Sequence, residues 1–207
     1  MENEYENEKL RLKVEQDEDS ENPREWDNLG IMVCFHKRYN LGDKTDLSSD
    51  QFNSWDELEN YLIKNEKAKV ILPLYLLDHS GLSMRTEPFF EDPEGWDSGQ
   101  VGFIYTTEKK IKKFYGDKKL SEKEIEDSLE SEVRTYNDYL EGNVYTISLE
   151  EKERCNLGDI HTKQIDSISG FYGYPDKDQI LDFLNGIEIE KDLEPYLEDI
   201  KKKVKDS

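Results

Sequence analysis

The stretch SEKEIEDSLESEVRTYNDYLEGNVYTISL, Ser121 to Leu149, decides the fold class because it sets a helix end to end with a strand. Ser121-x-x-Glu124 is a capping box, in which the serine hydroxyl and the glutamate carboxylate satisfy each other's backbone N–H groups. Ile125, Leu129, Val133, Tyr136 and Leu140 then recur three or four residues apart, which places them on one helical face. Gly142 is a suitable stop, and Val144 to Leu149 reads as a strand.

Working outward, the same two periods alternate along the chain. Leu10, Leu12 and Val14 alternate with charged residues as in a half-buried strand, and Leu29 to Phe35 reads as a buried one. Ser54 caps a helix through about Asn65, with Trp55, Leu58, Tyr61 and Leu62 on one face. Val70 to Leu77 reads as a central strand that Pro73 demotes or bulges. Val101 to Tyr105 is a strand followed by a short helix ending at Gly116, and Ile168 to Tyr174 is another strand. Asp176 caps a helix to Asn185, and a last helix runs from about Glu190, its first turn open to disruption by Pro195. Helices and strands interleave without βαβ regularity. The pattern predicts an α+β fold, a mostly antiparallel sheet with helices packed on it. Residues 1–8 are expected to be a disordered acidic N-terminus and 9–207 a single domain, helical at its end from about residue 176.

Acidic residues number 49 against 28 Lys and Arg, a net charge of -21. Nucleic-acid binding depends on cations displacing the counterions of phosphates, so this balance opposes direct contact with DNA or RNA and with an anionic membrane leaflet. It favours a basic surface on a host protein or nucleoprotein complex. Mean hydropathy is low at -0.94, yet twelve Tyr, eight Phe and three Trp supply enough aromatic area for a folded core. Cys34 and Cys155 are too few for a disulfide framework, MENEYENEKL lacks the apolar core of a signal peptide, and no apolar run reaches bilayer length. The expected location is the cytoplasm.

On the helix from Ser121, Glu124, Asp127, Glu130, Asp138 and Glu141 read as an outward acidic line. Residues three apart rise about 4.5 Å, on the scale of the charge spacing of a nucleic acid. Acidic residues also dominate Asp176 to Asp199. These faces are the candidate binding surface, alongside an ordinary solvated helix as the plainer reading.

Two segments repeat one another. Pro23-Arg24-Glu25-Trp26-Asp27-Asn28 and Pro93-Glu94-Gly95-Trp96-Asp97-Ser98 each lead into an apolar run eight residues after the proline, with Asp166-Ser167 before Gly170-Phe171-Tyr172-Gly173 as a looser third case. Each reads as a loop-to-strand entry. Trp26, Trp96 and Gln100 become binding candidates if these loops converge on one sheet edge. Asp78-His79-Ser80-Gly81 follows the central strand. Neighbours in a strand point to opposite sides, so a catalytic His79 needs a partner from Asp97, Ser98 or Asp166. The alternative to a binding protein is therefore an enzyme or ligand binder using Asp78, His79, Ser80, Asp97, Ser98 and Gln100. No nucleophile-elbow or phosphate-loop pattern occurs, three histidines make no metal signature, and no cofactor is expected.

Taken together, Asn22-Pro23-Arg24-Glu25-Trp26-Asp27-Asn28-Leu29-Gly30, the run Met32 to Asp43, Asp78-His79-Ser80-Gly81, Trp96 to Tyr105, Tyr139-Leu140-x-Gly142-x-Val144-Tyr145 and Gly170-Phe171-Tyr172-Gly173 resemble an uncharacterised protein family of bacteriophages and plasmids. The resemblance spans about residues 20–175, and Glu87 to Gly95 is a longer acidic insertion than such sequences usually carry. It implies a mobile-element setting and, with the charge, an anti-defence protein acting on a CRISPR effector or restriction enzyme in the host bacterial cytoplasm.

Overall fold

The computed structural model describes residues 3–155 and 159–207. Among the described residues, five α-helices and eight strands form an α+β fold, with every strand pair antiparallel. The strands divide into two sheets, and the chain divides into two compact units, Met1–Glu21 with Gly142–Ser207, and Asn22–Glu141. A single domain was expected. The chain instead leaves the first unit after one hairpin and returns to it at Gly142. Among the described residues no helix is long and apolar enough to cross a membrane.

The first unit contains strands β1 (Asn3–Glu6) and β2 (Leu10–Gln16), to which the chain returns as β7 (Val144–Arg154) and β8 (Ile160–Tyr172), in the order β1-β2-β7-β8. The disorder expected of residues 1–8 is replaced by β1, which pairs Tyr5 with Leu12, while Met1 and Glu2 lie outside the described residues. Leu10, Leu12 and Val14 share one face with Ile147 and Leu149, Leu12 opposite Leu149 and Val14 opposite Ile147. There they bury against α4 (Lys177–Gly186) and α5 (Glu194–Asp206) through Ile180, Leu184, Leu197, Ile200 and Val204. Asp176 caps α4 as read, with Gln179 closing a capping box. Pro195 does not break α5 but sits in its first turn, where its missing N–H costs nothing.

The second unit is a sheet with helices on both faces. Its strands are β3 (Ile31–Cys34), β4 (Ala68–Asp78), β5 (Leu82–Arg85) and β6 (Ser98–Thr107), in the order β3-β6-β4-β5. Strand β6 is buried from Val101 to Thr106. Ile104 and Val101 meet Ile125, Leu129, Val133 and Tyr136 of α3 (Glu122–Glu141), whereas Phe103 and Tyr105 meet Leu58 and Leu62 of α1 (Trp55–Lys64). A short helix α2 (Glu108–Tyr115) follows β6 directly, capped by Thr107 and closed by Gly116 at φ 63°. Pro73 is tolerated inside β4 because β5 reaches only Tyr75 to Asp78. At Pro73 the strand is paired on one side alone, opposite Phe103.

Candidate functional site

The Pro23 segment is a structural hub. Pro23–Glu25 forms one 3-10 turn capped by Asn22, and this turn aims Arg24 inward, where only 2% of its side-chain surface is exposed. Its guanidinium donates two parallel bonds to Asp43, from Nε at 2.8 Å and from Nη2 at 2.9 Å. Nη1 donates to Glu132 at 3.0 Å and Nη2 to the Gly30 carbonyl at 3.0 Å. The two carboxylates are themselves tied down. Glu132 accepts from the Leu29 and Gly30 amides, and Asp43 accepts from the Met32 amide. Burial works against the Arg24 charge, but Asp43 and then Glu132 outweigh it and raise its pKa. Sequence reading missed this centre, although Glu132 carries a signal: it falls three residues after Leu129, on the buried side of α3.

The two Pro-Trp segments do not converge. Strands β3 and β6 run antiparallel with Ile31 opposite Tyr105, so the loops entering them lie at opposite ends of the sheet. Asp166 and Ser167 lie within β8, in the first unit. Trp26 is 44% exposed, and neighbouring Asp27 accepts from Lys113 at 2.5 Å. Trp96 is 84% exposed, the most of any large apolar side chain among the described residues. Gln100 is spent locally, donating to the Gly102 carbonyl at 3.3 Å.

At the end of the second sheet, Asp78 and His79 do part company. Asp78 pairs with Arg38, and His36 lies 3.9 Å from the same carboxylate oxygen. His79 turns to Asp97, with Nδ1 2.8 Å from Oδ2. Antiparallel pairing of β4 with β6 brings them together, since Leu77 lies opposite Ser98 and the Asp78 amide donates to the Asp97 carbonyl at 2.8 Å. Asp92 fixes the far side by accepting from the amides of Trp96, Asp97 and Ser98. These bonds, that of Asp97 foremost, hold the Asp92 pKa below its usual value against the opposing effect of burial. The His79–Asp97 pair has the geometry of an oriented base, but it stands in solvent, His79 being 71% and Asp97 47% exposed. Ser80 is exposed in the turn after β4. Among the described residues no group of three or more His, Cys, Asp or Glu is arranged to hold a metal.

On α3 the five carboxylates are not an unrelieved line. Glu124 accepts from the Ser121 amide and hydroxyl as the cap, Asp127 pairs with Lys123 at 2.8 Å and Glu130 faces Arg134 at 3.9 Å. Glu141 accepts from the Ser83 hydroxyl. Asp138 is partly buried, which raises its pKa, and Glu141 adds to the rise. A further acidic run lies on the first unit. Asp178, Asp182, Glu188, Glu190, Asp192 and Glu194 are all exposed along α4, the following loop and the start of α5. Among the described residues, the ion pairs of this helix pair lie farther on, at Lys201–Glu198 and Lys203–Asp199.

Comparison with protein-family models, with curated proteins and with solved structures finds no match to this chain.

Proposed function

We propose that this protein is an acidic docking protein of a phage or plasmid, which inhibits a host nucleic-acid-handling complex by occupying its basic surface. The observation that carries the reading is the run of exposed carboxylates from Asp178 to Glu194, set in a chain whose carboxylates exceed its bases by a net 21 charges. Complete pairing of every Lys and Arg would leave that excess in place. Charged surfaces of this kind steer association with an oppositely charged cleft and compete there with a polyanion. The partner class is a basic DNA or RNA channel, as in a CRISPR effector or restriction enzyme.

The test is an inhibition assay with such nucleases and the variant D178N/D182N/E190Q/D192N, which removes charge while keeping side-chain size. Inhibition by the wild type that falls with added salt and is lost in the variant supports the proposal. Full inhibition by the variant removes it. A second reading, a ligand-binding or catalytic site, is favoured by the 2.8 Å His79–Asp97 contact. Under that reading H79A and D97A abolish activity while the carboxamide variant retains it.

A further inference from the structure

A cleft of about 720 Å³ opens beside the end of β3, bounded by the loop that runs from Phe35 to Ser49 and by Trp55 of α1. Its volume is that of an ordinary small-ligand site. The loop around it is fastened. Gly42 bridges back to Val33, the Asp43 amide donates to the Met32 carbonyl at 2.9 Å, and the Gly42 amide donates to the Tyr136 hydroxyl at 3.1 Å. A cleft held open in this way costs little ordering when it is filled.

The lining is basic in a chain that is otherwise acidic. Lys37 and Lys44 border the cleft, and among the described residues the ammonium of neither has a carboxylate or a carbonyl partner. The one carboxylate in the lining, Asp43, is already taken by Arg24 and the Met32 amide. His36 is also spent, its Nδ1 accepting from the Arg38 amide at 3.3 Å and its Nε2 standing 3.9 Å from Asp78. The Thr45 hydroxyl accepts from the Leu47 amide at 3.2 Å and keeps its own proton to donate. Unspent groups that are cations and donors select an anion. The remaining wall is aromatic. Phe35 stacks on both Phe52 and Trp55, with ring centres 6.2 and 6.3 Å apart, so its orientation is fixed. A second recess of about 370 Å³ shares Phe35, Ser49 and Trp55 with the cleft and reaches the apolar side chains of Phe52 and Leu58. Flat apolar space thus adjoins the lysines.

We infer that this cleft binds a small anion carrying a planar ring, of the nucleoside monophosphate class, with Lys37 and Lys44 taking the anionic group and the wall of Phe35 and Trp55 taking the ring. Rings stack on aromatic side chains whatever their substituents, and lysine serves as a point charge for phosphate. The net charge of -21 opposes an anion at a distance. Charges farther than about 8 Å are largely screened at physiological ionic strength, so the lining decides. The inference does not rest on the docking reading, whose acidic run lies on the first unit.

The probes are AMP, phenyl phosphate, adenosine and inorganic phosphate, titrated by calorimetry and by amide chemical shifts at physiological salt. The proteins are the wild type, K37Q/K44Q and, as a control for exposed lysines elsewhere, K118Q/K119Q, each checked for native circular dichroism. AMP is expected to saturate the wild type with a Kd about tenfold or more below those of adenosine and inorganic phosphate, and phenyl phosphate to bind between them. Shifts concentrate from Phe35 to Ser49 and at Trp55. K37Q/K44Q weakens AMP about tenfold or more, and K118Q/K119Q leaves it unchanged. The inference is overturned if neither AMP nor phenyl phosphate saturates the wild type by about 10 mM, or if inorganic phosphate binds as tightly as both. AMP binding that is unchanged in K37Q/K44Q overturns it equally.

Discussion

Removing the guanidinium of Arg24 strands two carboxylates, Asp43 and Glu132, that converge on it in a largely dry site. Breaking a buried ion pair from one side costs about 3–5 kcal/mol, because the remaining charge has lost its partner. R24A is expected to lower unfolding free energy by that amount in urea titration. R24K, which keeps the charge but not the planar fork, should recover only part. An R24A protein as stable as the wild type would refute the hub. Cys34 makes a second prediction at this scale. Part of the residue borders the cleft formed by His36, Tyr39 and Lys44, yet its thiol is sunk in the fold. Burial first, and Asp43 after it, push its pKa up to about 12. The thiolate is the reactive form, so Cys34 of the native protein should resist a thiol reagent near neutral pH and be labelled only on unfolding, read by peptide mass spectrometry.

At the scale of elements, β3 and β6 approach so closely that a Cβ on Gly102 would lie 1.8 Å from the Val33 carbonyl oxygen. Backbone cannot yield as a flexible side chain does. G102A should therefore cost at least the roughly 1–3 kcal/mol of ordinary overpacking and destabilise β3, read as lost amide protection from Ile31 to Cys34. Asp92 supplies a pH test of the loop. Its pKa is lowered, chiefly by the Asp97 amide, so the tie is complete above the ordinary carboxylate range. It is lost as pH falls through the lowered value. Amide shifts of Trp96 to Ser98 should titrate below the usual aspartate midpoint, and D92N should abolish that titration. Helices α1, α3 and α4 were legible because cap and period agree: Ser54, Ser121 and Asp176 each make the bonds their positions imply. Strand β8 was legible only at its end. It is an edge strand, exposed almost throughout from Ile160 to Gly170, and carries no alternation to read. The His79–Asp97 contact was within reach, since antiparallel β4 and β6 bring 78 and 97 together. The Arg24 hub was not, because its partners lie 19 and 108 residues away.

For the whole molecule, both units carry more acid than base, but the charge is organised differently in each. In the second unit, carboxylates are drawn into capping, into the Arg24 cluster and into pairs along α3. In the first, the carboxylates from Asp178 to Glu194 stand in water, while Glu198 and Asp199 pair with Lys201 and Lys203. Low salt strengthens the field of such a surface, and counterions screen it within about 10 Å at 0.1 M. The most direct measurement is displacement of fluorescent DNA from the channel of a candidate restriction enzyme or CRISPR effector, followed by anisotropy as this protein is added across a salt series. Competition for the basic channel predicts release of the DNA at low salt, with potency falling steeply as salt rises and absent in D178N/D182N/E190Q/D192N. DNA that stays bound at low salt across a panel of such enzymes, or release that ignores both salt and the substituted carboxylates, would contradict it.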